Sequence, residues 1–305
     1  MRHRALFSPL FRIPKLLKYC LLLLFLAPLV SAQESLPDLV SRLKPSVVAL
    51  VTYDEKGQEL AQGSGFFTAP DRVVTNLHVI EGASRVEIHL SDGTSVSVGG
   101  VVAVDGGADL VLIQVVRKSR SRALTIATRL PREGESVVVV GSPLGLEGSV
   151  SNGIVSAVRE LPNFGHLIQI TAAISPGSSG SPVVDLSGKV VGVATLQFAR
   201  GQNINFAVPS EQITRLRTRP LTTFAELNRE VQRDRRTTAE KSYREGLARR
   251  FTSENACEKA IVYFEKAVEY DPSYADPWAQ IGYCEWISTN HLEGEAIKSG
   301  LERAI

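Results

Sequence analysis

The chain has 305 residues, 44% of them hydrophobic and 22% charged, with a formal net charge of +2. That length accommodates two domains, and the balance is that of ordinary globular protein, which excludes a collagen and a chain disordered throughout. Arg2, Arg4, Arg12, Lys15 and Lys18 stand in residues 1–32 without an acid, leaving 29 bases against 32 acids beyond them. Net charge therefore points to no nucleic acid and no membrane surface as partner.

The basic start precedes an apolar run from Cys20 to Val30 and then Val30-Ser31-Ala32, with small residues where a signal peptidase reads. Residues 1–32 are thus read as a secretory signal peptide. The run is too short to cross ~30 Å of hydrocarbon at about 1.5 Å per residue. Leu16 and Leu17 extend it past Lys18, and an uncleaved signal would leave a membrane anchor. The expected location is exported, periplasmic or extracellular, in an oxidising compartment.

Leu36, Leu39, Val40 and Leu43 have helical spacing and stop ahead of Pro45, which predicts one short helix. From Val47 to about Val208 short apolar stretches alternate with turn residues, the pattern of an all-β sandwich or barrel. Strands are predicted near 47–53, 64–68, 72–75, 85–90, 95–104, 110–116, 136–141, 149–158, 167–171, 182–185, 189–196 and 204–208. A dozen short strands suits a double β-barrel.

After Pro209 the texture turns helical, with a period near 3.6. Within 211–250, 11 Arg or Lys mix with 6 Asp or Glu, which reads as a solvated linker helix over 210–240. Residues 241–305 carry a 34-residue repeat, 241–274 and 275–305, that resembles the tetratricopeptide (TPR) pattern. Leu247, Ala248, Phe251, Ala260, Phe264, Ala267 and Pro272 fill its positions in the first copy; Trp278, Ile281 and Gly282 do so in the second. The second copy departs at Glu285, where an aromatic is expected, and in a short insertion around Asn290. Two repeats bury a continuous core only with a neighbour, so a cap is expected from the preceding helix, the β-domain or a second chain.

The strongest chemical signal is Gly177-Ser178-Ser179-Gly180-Ser181-Pro182, a glycine-flanked serine entering an apolar strand. Glycines admit a substrate carbonyl to the hydroxyl, and the N–H groups of Gly177 and Ser179 can converge on a developing oxyanion. A serine needs a base and an orienting acid. Upstream, Val73 to Val79 reads as a strand ending in His78, and Asp109 enters the strand after Gly107-Ala108. The order His, Asp, Ser makes His78 the base, Asp109 its orienting partner and Ser179 the nucleophile.

Taken with these blocks, residues from about 36 to 209 resemble the protease domain of the HtrA/Deg family of chymotrypsin-fold, trypsin-like serine proteases. The matching segments include Leu43-Lys44-Pro45-Ser46-Val47-Val48, Gly63-Ser64-Gly65-Phe66, Thr75-Asn76-x-His78-Val79, Asp109-Leu110, Ser151-Asn152-Gly153-Ile154, Pro176-Gly177-x-Ser179-Gly180 and Asn205-Phe206-Ala207-Val208-Pro209. The resemblance implies a two-barrel endopeptidase working through an acyl-enzyme, with the triad His78, Asp109 and Ser179 and an oxyanion hole at Gly177 and Ser179. It also implies protein or peptide substrates, a role in quality control or processing, and trimer assembly as in many members. Ser178, Ser181, Thr171 and Ser142 depart from its usual residues, and no PDZ domain follows Pro209. For the primary specificity pocket, Ala173 and Ile174 supply a floor and Gly192, Val193, Ala194 and Thr195 a wall. Lacking a carboxylate, that pocket favours small or medium aliphatic residues, because an unpaired buried cation is costly.

The histidines show no ligand spacing with cysteines or acids, so neither a metal nor another cofactor is expected. By the repeat register Cys257 opens the second helix of the first copy and Cys284 lies late in the next helix; a disulfide and two buried thiols both fit. The reading is an exported serine endopeptidase whose TPR-like module takes a protein partner. Its alternative is a resting or inactive protease fold that acts as a scaffold through the repeats.

Overall fold

The computed structural model describes residues 34–116, 122–141, 149–161, 165–197, 205–252 and 256–287. The signal segment, the Ser142 block and the Asn290 insertion lie outside the described residues.

Helix α1 (Leu36–Leu43) is amphipathic and buries Leu39 and Leu43; a 3₁₀ turn over Lys44–Ser46, with Pro45 inside it, ends the helix and feeds the first strand. Strands β1 (Val47–Tyr53), β2 (Glu59–Ala69), β3 (Arg72–Asn76), β4 (Arg85–Leu90), β5 (Ser95–Asp105) and β6 (Leu110–Val115) close a first barrel in the order β1-β2-β3-β6-β5-β4. Strands β7 (Ser136–Gly141), β8 (Ser149–Leu161), β9 (Gly165–Ile170), β10 (Pro182–Asp185), β11 (Val190–Gln197) and β12 (Asn205–Pro209) close a second as β10-β11-β12-β9-β8-β7. All ladders within the barrels are antiparallel, and closure leaves no free edge in either. Alternate side chains of the Val- and Ile-rich strands turn inward. Phe66, Val74 and Leu110 of the first barrel share one buried cluster with Val138, Val193 and Phe206 of the second.

The strand expected to end in His78 is shorter than its composition suggests. The strand that approaches His78 ends at Asn76, and His78 sits on a single helical turn, α2 (Leu77–Ile80). Its apolar neighbours Leu77, Val79 and Ile80 are all buried, so composition alone reads as strand.

Beyond the second barrel, the stretch 210–240 differs from one solvated helix. A short helix α3 (Ser210–Arg215) gives way to an extended segment that returns to the first barrel. There Val101 and Thr222 exchange both backbone hydrogen bonds at 2.8 Å, and Arg219 N–H donates to the Val102 carbonyl at 2.7 Å. Gly100 permits this approach, since a side chain there would meet the Thr222 carbonyl, and its φ of +148° is one that L side chains rarely adopt. Helix α4 (Phe224–Thr252) then runs 29 residues without a break, through the expected boundary at 240. Its start is a capping box: Thr223 Oγ accepts from Glu226 N–H, and the Glu226 carboxylate accepts from Thr223 N–H. The Thr223 N–H and hydroxyl, both donating to that carboxylate, hold the Glu226 carboxyl below its ordinary pKa. Phe224 and Leu227 are buried against Leu77, Ile80 and Ala83 of the barrel, a burial that stabilises docking by roughly 3–6 kcal/mol.

The second half of α4 packs on α5 (Ala256–Tyr270), and a helix over 275–287, α6, follows. Ala260, Phe264 and Ala267 are fully buried there. Gly246 leaves room for the Phe264 ring, which a Cβ would strike. Cys257 on α5 and Cys284 on α6 are joined as a disulfide, with Cα atoms 5.1 Å apart.

Candidate active site

The carboxylate of Asp109 organises one side of the cleft. Asp109 precedes β6 with φ +53°, the one non-glycine residue in the left-handed region among the described residues; this strain, of order 1–3 kcal/mol, persists only where surrounding bonds enforce it. Those bonds are present. The Asp109 carbonyl accepts from Leu77 N–H at 3.1 Å and from Asn76 Nδ2 at 2.9 Å, while the Asp109 N–H reaches Gly106. The same carbonyl thus turns the chain out of β3 into α2, and the carboxylate is aimed at His78.

One carboxylate oxygen lies 2.6 Å from His78 Nδ1, and the other accepts from the His78 N–H at 3.0 Å. Thr195 on β11 donates its hydroxyl to the oxygen that faces the ring, at 2.9 Å. Burial disfavours the imidazolium, but the Asp109 hydrogen bond and charge, joined by Glu81, outweigh it and raise the His78 pKa above its ordinary value. His78 keeps 44% of its side chain exposed, so the other ring nitrogen is open to the cleft.

Ser179 lies across from this pair on a loop shaped by two glycines, Gly177 at φ +89° and Gly180 at φ +86°. The loop is locked to the first barrel: Ser64 N–H donates to the Ser179 carbonyl at 2.8 Å, and Ser64 Oγ donates to the Gly177 carbonyl at 2.8 Å. A Cβ on Gly180 would collide with the Ser64 carbonyl and Thr75 Oγ1. Ser178 closes its own turn, its N–H donating to the Ser175 carbonyl and its hydroxyl accepting from Ser175 N–H. Ser181 is fully buried, with its hydroxyl packed over Gly141, where a side chain would strike it. The Ser179 hydroxyl donates a long bond, 3.4 Å, to the Thr195 carbonyl. Among the described residues neither the Gly177 nor the Ser179 N–H donates to a protein acceptor.

Of the residues assigned to the specificity pocket, Ala173 is exposed and its carbonyl accepts from Ser151 Oγ at 2.6 Å, whereas Ile174 is buried. Gly192, Val193 and Ala194 are buried in β11, and the Val193 side chain belongs to the core between the barrels, so it does not line a pocket wall. Asn205, which opens one of the matching segments but had no role assigned from the sequence, is buried and donates to the Ala172 carbonyl at 2.9 Å just before the floor. Thr195, expected in the pocket wall, instead bonds Asp109, and the hold of Ser64 on the serine loop had no sequence signal, because each acts on a residue of the opposite barrel. No group of His, Cys, Asp and Glu that could hold a metal occurs among the described residues.

Residues 63–193 match the trypsin-like peptidase domain family. The chain is 35% identical over 190 residues to serine protease HTRA1A of Danio rerio, covering 58% of this chain and 39% of that protein. It is 35% identical over 163 residues to a probable periplasmic serine endoprotease, DegP-like, of Pseudomonas savastanoi, covering 51% of this chain and 34% of that one. The chain therefore spans between a third and two fifths of the length of these curated relatives. The crystal structure of the serine endoprotease from Yersinia pestis superposes with a TM-score of 0.54 at 28% identity, covering 60% of this chain and 65% of that one. Two closed six-stranded barrels meeting at such a cleft give this part of the chain the chymotrypsin-like double-barrel fold, and its sequence is similar to the trypsin-like peptidase domain and to HtrA serine proteases.

Proposed function

We propose that the protein is an exported serine endopeptidase that cleaves protein or peptide substrates through His78, Asp109 and Ser179. The observation that carries this reading is the two-point grip of the Asp109 carboxylate on His78, at Nδ1 and at the backbone N–H, across the cleft from Ser179. That grip fixes the ring so that Nε2 takes the proton from Ser179 Oγ as the hydroxyl adds to the scissile carbonyl. The tetrahedral oxyanion is stabilised by the N–H groups of Gly177 and Ser179. His78 then gives its proton to the departing amine, and the acyl ester on Ser179 is hydrolysed by water that His78 deprotonates in turn. Ala173 and Ile174 suit a small or medium aliphatic side chain. The name of the DegP-like relative and the signal pattern of residues 1–32 together support export to a periplasm or the cell exterior. Among the described residues no helix is long and apolar enough to cross a membrane. The helical repeats, with Trp278, Tyr283 and Trp286 exposed on α6, serve a protein partner in this reading.

A second reading has its own observation. The Ser179 hydroxyl rests on the Thr195 carbonyl instead of on His78, which suits an enzyme whose nucleophile engages its base only with substrate in place. One experiment separates the two. Residues 33–305 are treated with a fluorophosphonate serine probe beside Ser179→Ala and His78→Ala. Labelling that maps to Ser179 and vanishes in both variants is the expected result. Folded wild type that stays unlabelled until a peptide substrate is added would establish the resting form, and labelling elsewhere would overturn the assignment.

A further inference from the structure

Helix α4 reaches the segment that carries His78. Along one stripe of the helix, Phe224, Leu227, Asn228, Val231 and Arg235 recur at the three- and four-residue spacing of a single face. Leu227 is fully buried and Val231 packs on the same cluster as Leu77 and Ile80. Asn228 bridges two backbone groups just past α2: its Oδ1 accepts from Gly82 N–H at 3.0 Å, and its Nδ2 donates to the Ala83 carbonyl at 2.9 Å. Arg235 grips the Glu81 carboxylate with two nitrogens, each 2.8 Å from its own oxygen. Glu81 is three residues after His78, and its carboxylate is largely buried at 18% exposure. A bidentate, partly desolvated guanidinium–carboxylate pair fixes geometry as well as charge.

We propose that Arg235 and Asn228 are positioning residues for His78, so that the helical region outside the barrels sets the orientation and charge environment of the base. The proposal rests on the reading of His78 as general base. The mechanical part follows from the bonds: α2 is one turn long, its N-terminal end is held by the Asp109 carbonyl, and its C-terminal end is held by α4. The electrostatic part follows from the groups that line a cavity of about 650 Å³ between His78 and the helices, one that Ser179 does not line: Asp109 and Glu81 from the barrel, Glu230, Asp234 and Arg235 from α4, and Glu269 from α5. Glu230 pairs with Arg219, so Arg235 is the cation that offsets Glu81. Removing it leaves the Glu81 charge free to favour the imidazolium.

The test uses residues 33–305 with the His78 ring titration followed by NMR, which needs no turnover, beside kcat and KM on a peptide substrate. Arg235→Ala is expected to move the His78 titration and the acid limb of kcat to higher pH, and Glu81→Gln to lower pH. Asn228→Ala should leave the titration in place while kcat falls about tenfold at nearly constant KM, as for a slightly misplaced base. Should Arg235→Ala fail to fold, Arg235→Gln carries the same comparison. Folded Arg235 variants with wild-type titration and wild-type kcat would overturn the proposal. A titration that moves as expected in a wild type that hydrolyses nothing would retain the positioning role and remove the protease reading instead.

Discussion

The two sides of the cleft are held in different ways. The His78 side is fixed by side-chain chemistry: a strained Asp109, the hydroxyl of Thr195 and the α4 contacts at Glu81 to Ala83. The Ser179 side is fixed by backbone, through two left-handed glycines and the carbonyls that Ser64 binds. In each case the decisive partner comes from the other barrel, Thr195 for Asp109 and Ser64 for the serine loop. The site is thereby an interlock, and neither barrel alone holds its own residues in place. A side-chain anchor fails gradually when truncated, whereas a backbone anchor fails by steric exclusion, and substitutions on the two sides should differ accordingly.

The largest effect is expected on the His78 side without any loss of fold. Asp109→Asn keeps size and most contacts but presents an amide to Nδ1 and selects the wrong tautomer, so kcat should drop about ten-thousandfold. Thermal melting should stay near wild type, and a variant retaining more than a tenth of wild-type kcat would mean that Asp109 does not orient the base. On the Ser179 side Gly180→Ala should instead reach the fold. Backbone strain at φ +86° costs about 1–3 kcal/mol, and the added methyl meets the Ser64 carbonyl and Thr75. Both the melting temperature and fluorophosphonate labelling should fall. An unchanged melting temperature would show that the loop is not gripped by Ser64.

Much of this was legible from the sequence, for a physical reason. Alternating Val and Ile between turn residues encodes strands locally, and the strands observed at 47–53, 85–90, 136–141 and 182–185 have the bounds expected. The His, Asp and Ser motifs stood out because glycines and a strand-entering aspartate mark them locally. What stayed hidden is non-local. Leu77, Val79 and Ile80 have strand-like composition, and only the distant Asp109 carbonyl bends them into a turn of helix. The docking of α4 was masked likewise: Phe224 and Leu227 are two apolar residues in a run of mixed charge, and nothing between 224 and 252 breaks the helix where a linker was expected to end.

The helical region offers a smaller effect that bears on the same comparison, since it touches the His78 side and leaves the serine loop alone. The Cys257–Cys284 bond closes a segment with a sequence separation of 27, and losing such a crosslink costs about 3–4 kcal/mol by loop entropy. Cys257→Ser with Cys284→Ser should therefore lower the melting of the helices first. The melting of the barrels should stay in place, with kcat close to wild type while α4 remains docked. A barrel that melts together with the helices would mean that the α4 interface makes the two one cooperative unit.

The finest test is pH. His78 has its pKa raised in the folded chain, so its contribution to stability is fully present below the ordinary value of about 6.5 and is lost as pH rises through the folded value. Activity runs the other way, because the base must be neutral to accept the serine proton, and kcat should climb across that same window. In His78→Gln the stability change over this window should vanish, whereas in Ser179→Ala it should persist, because the raised value comes from Asp109 and Glu81 and not from the nucleophile. Equal pH dependence of melting in wild type and His78→Gln would assign the titration to another group. A window abolished by Ser179→Ala would mean that the serine loop, despite its backbone anchoring, sets the charge state of the base.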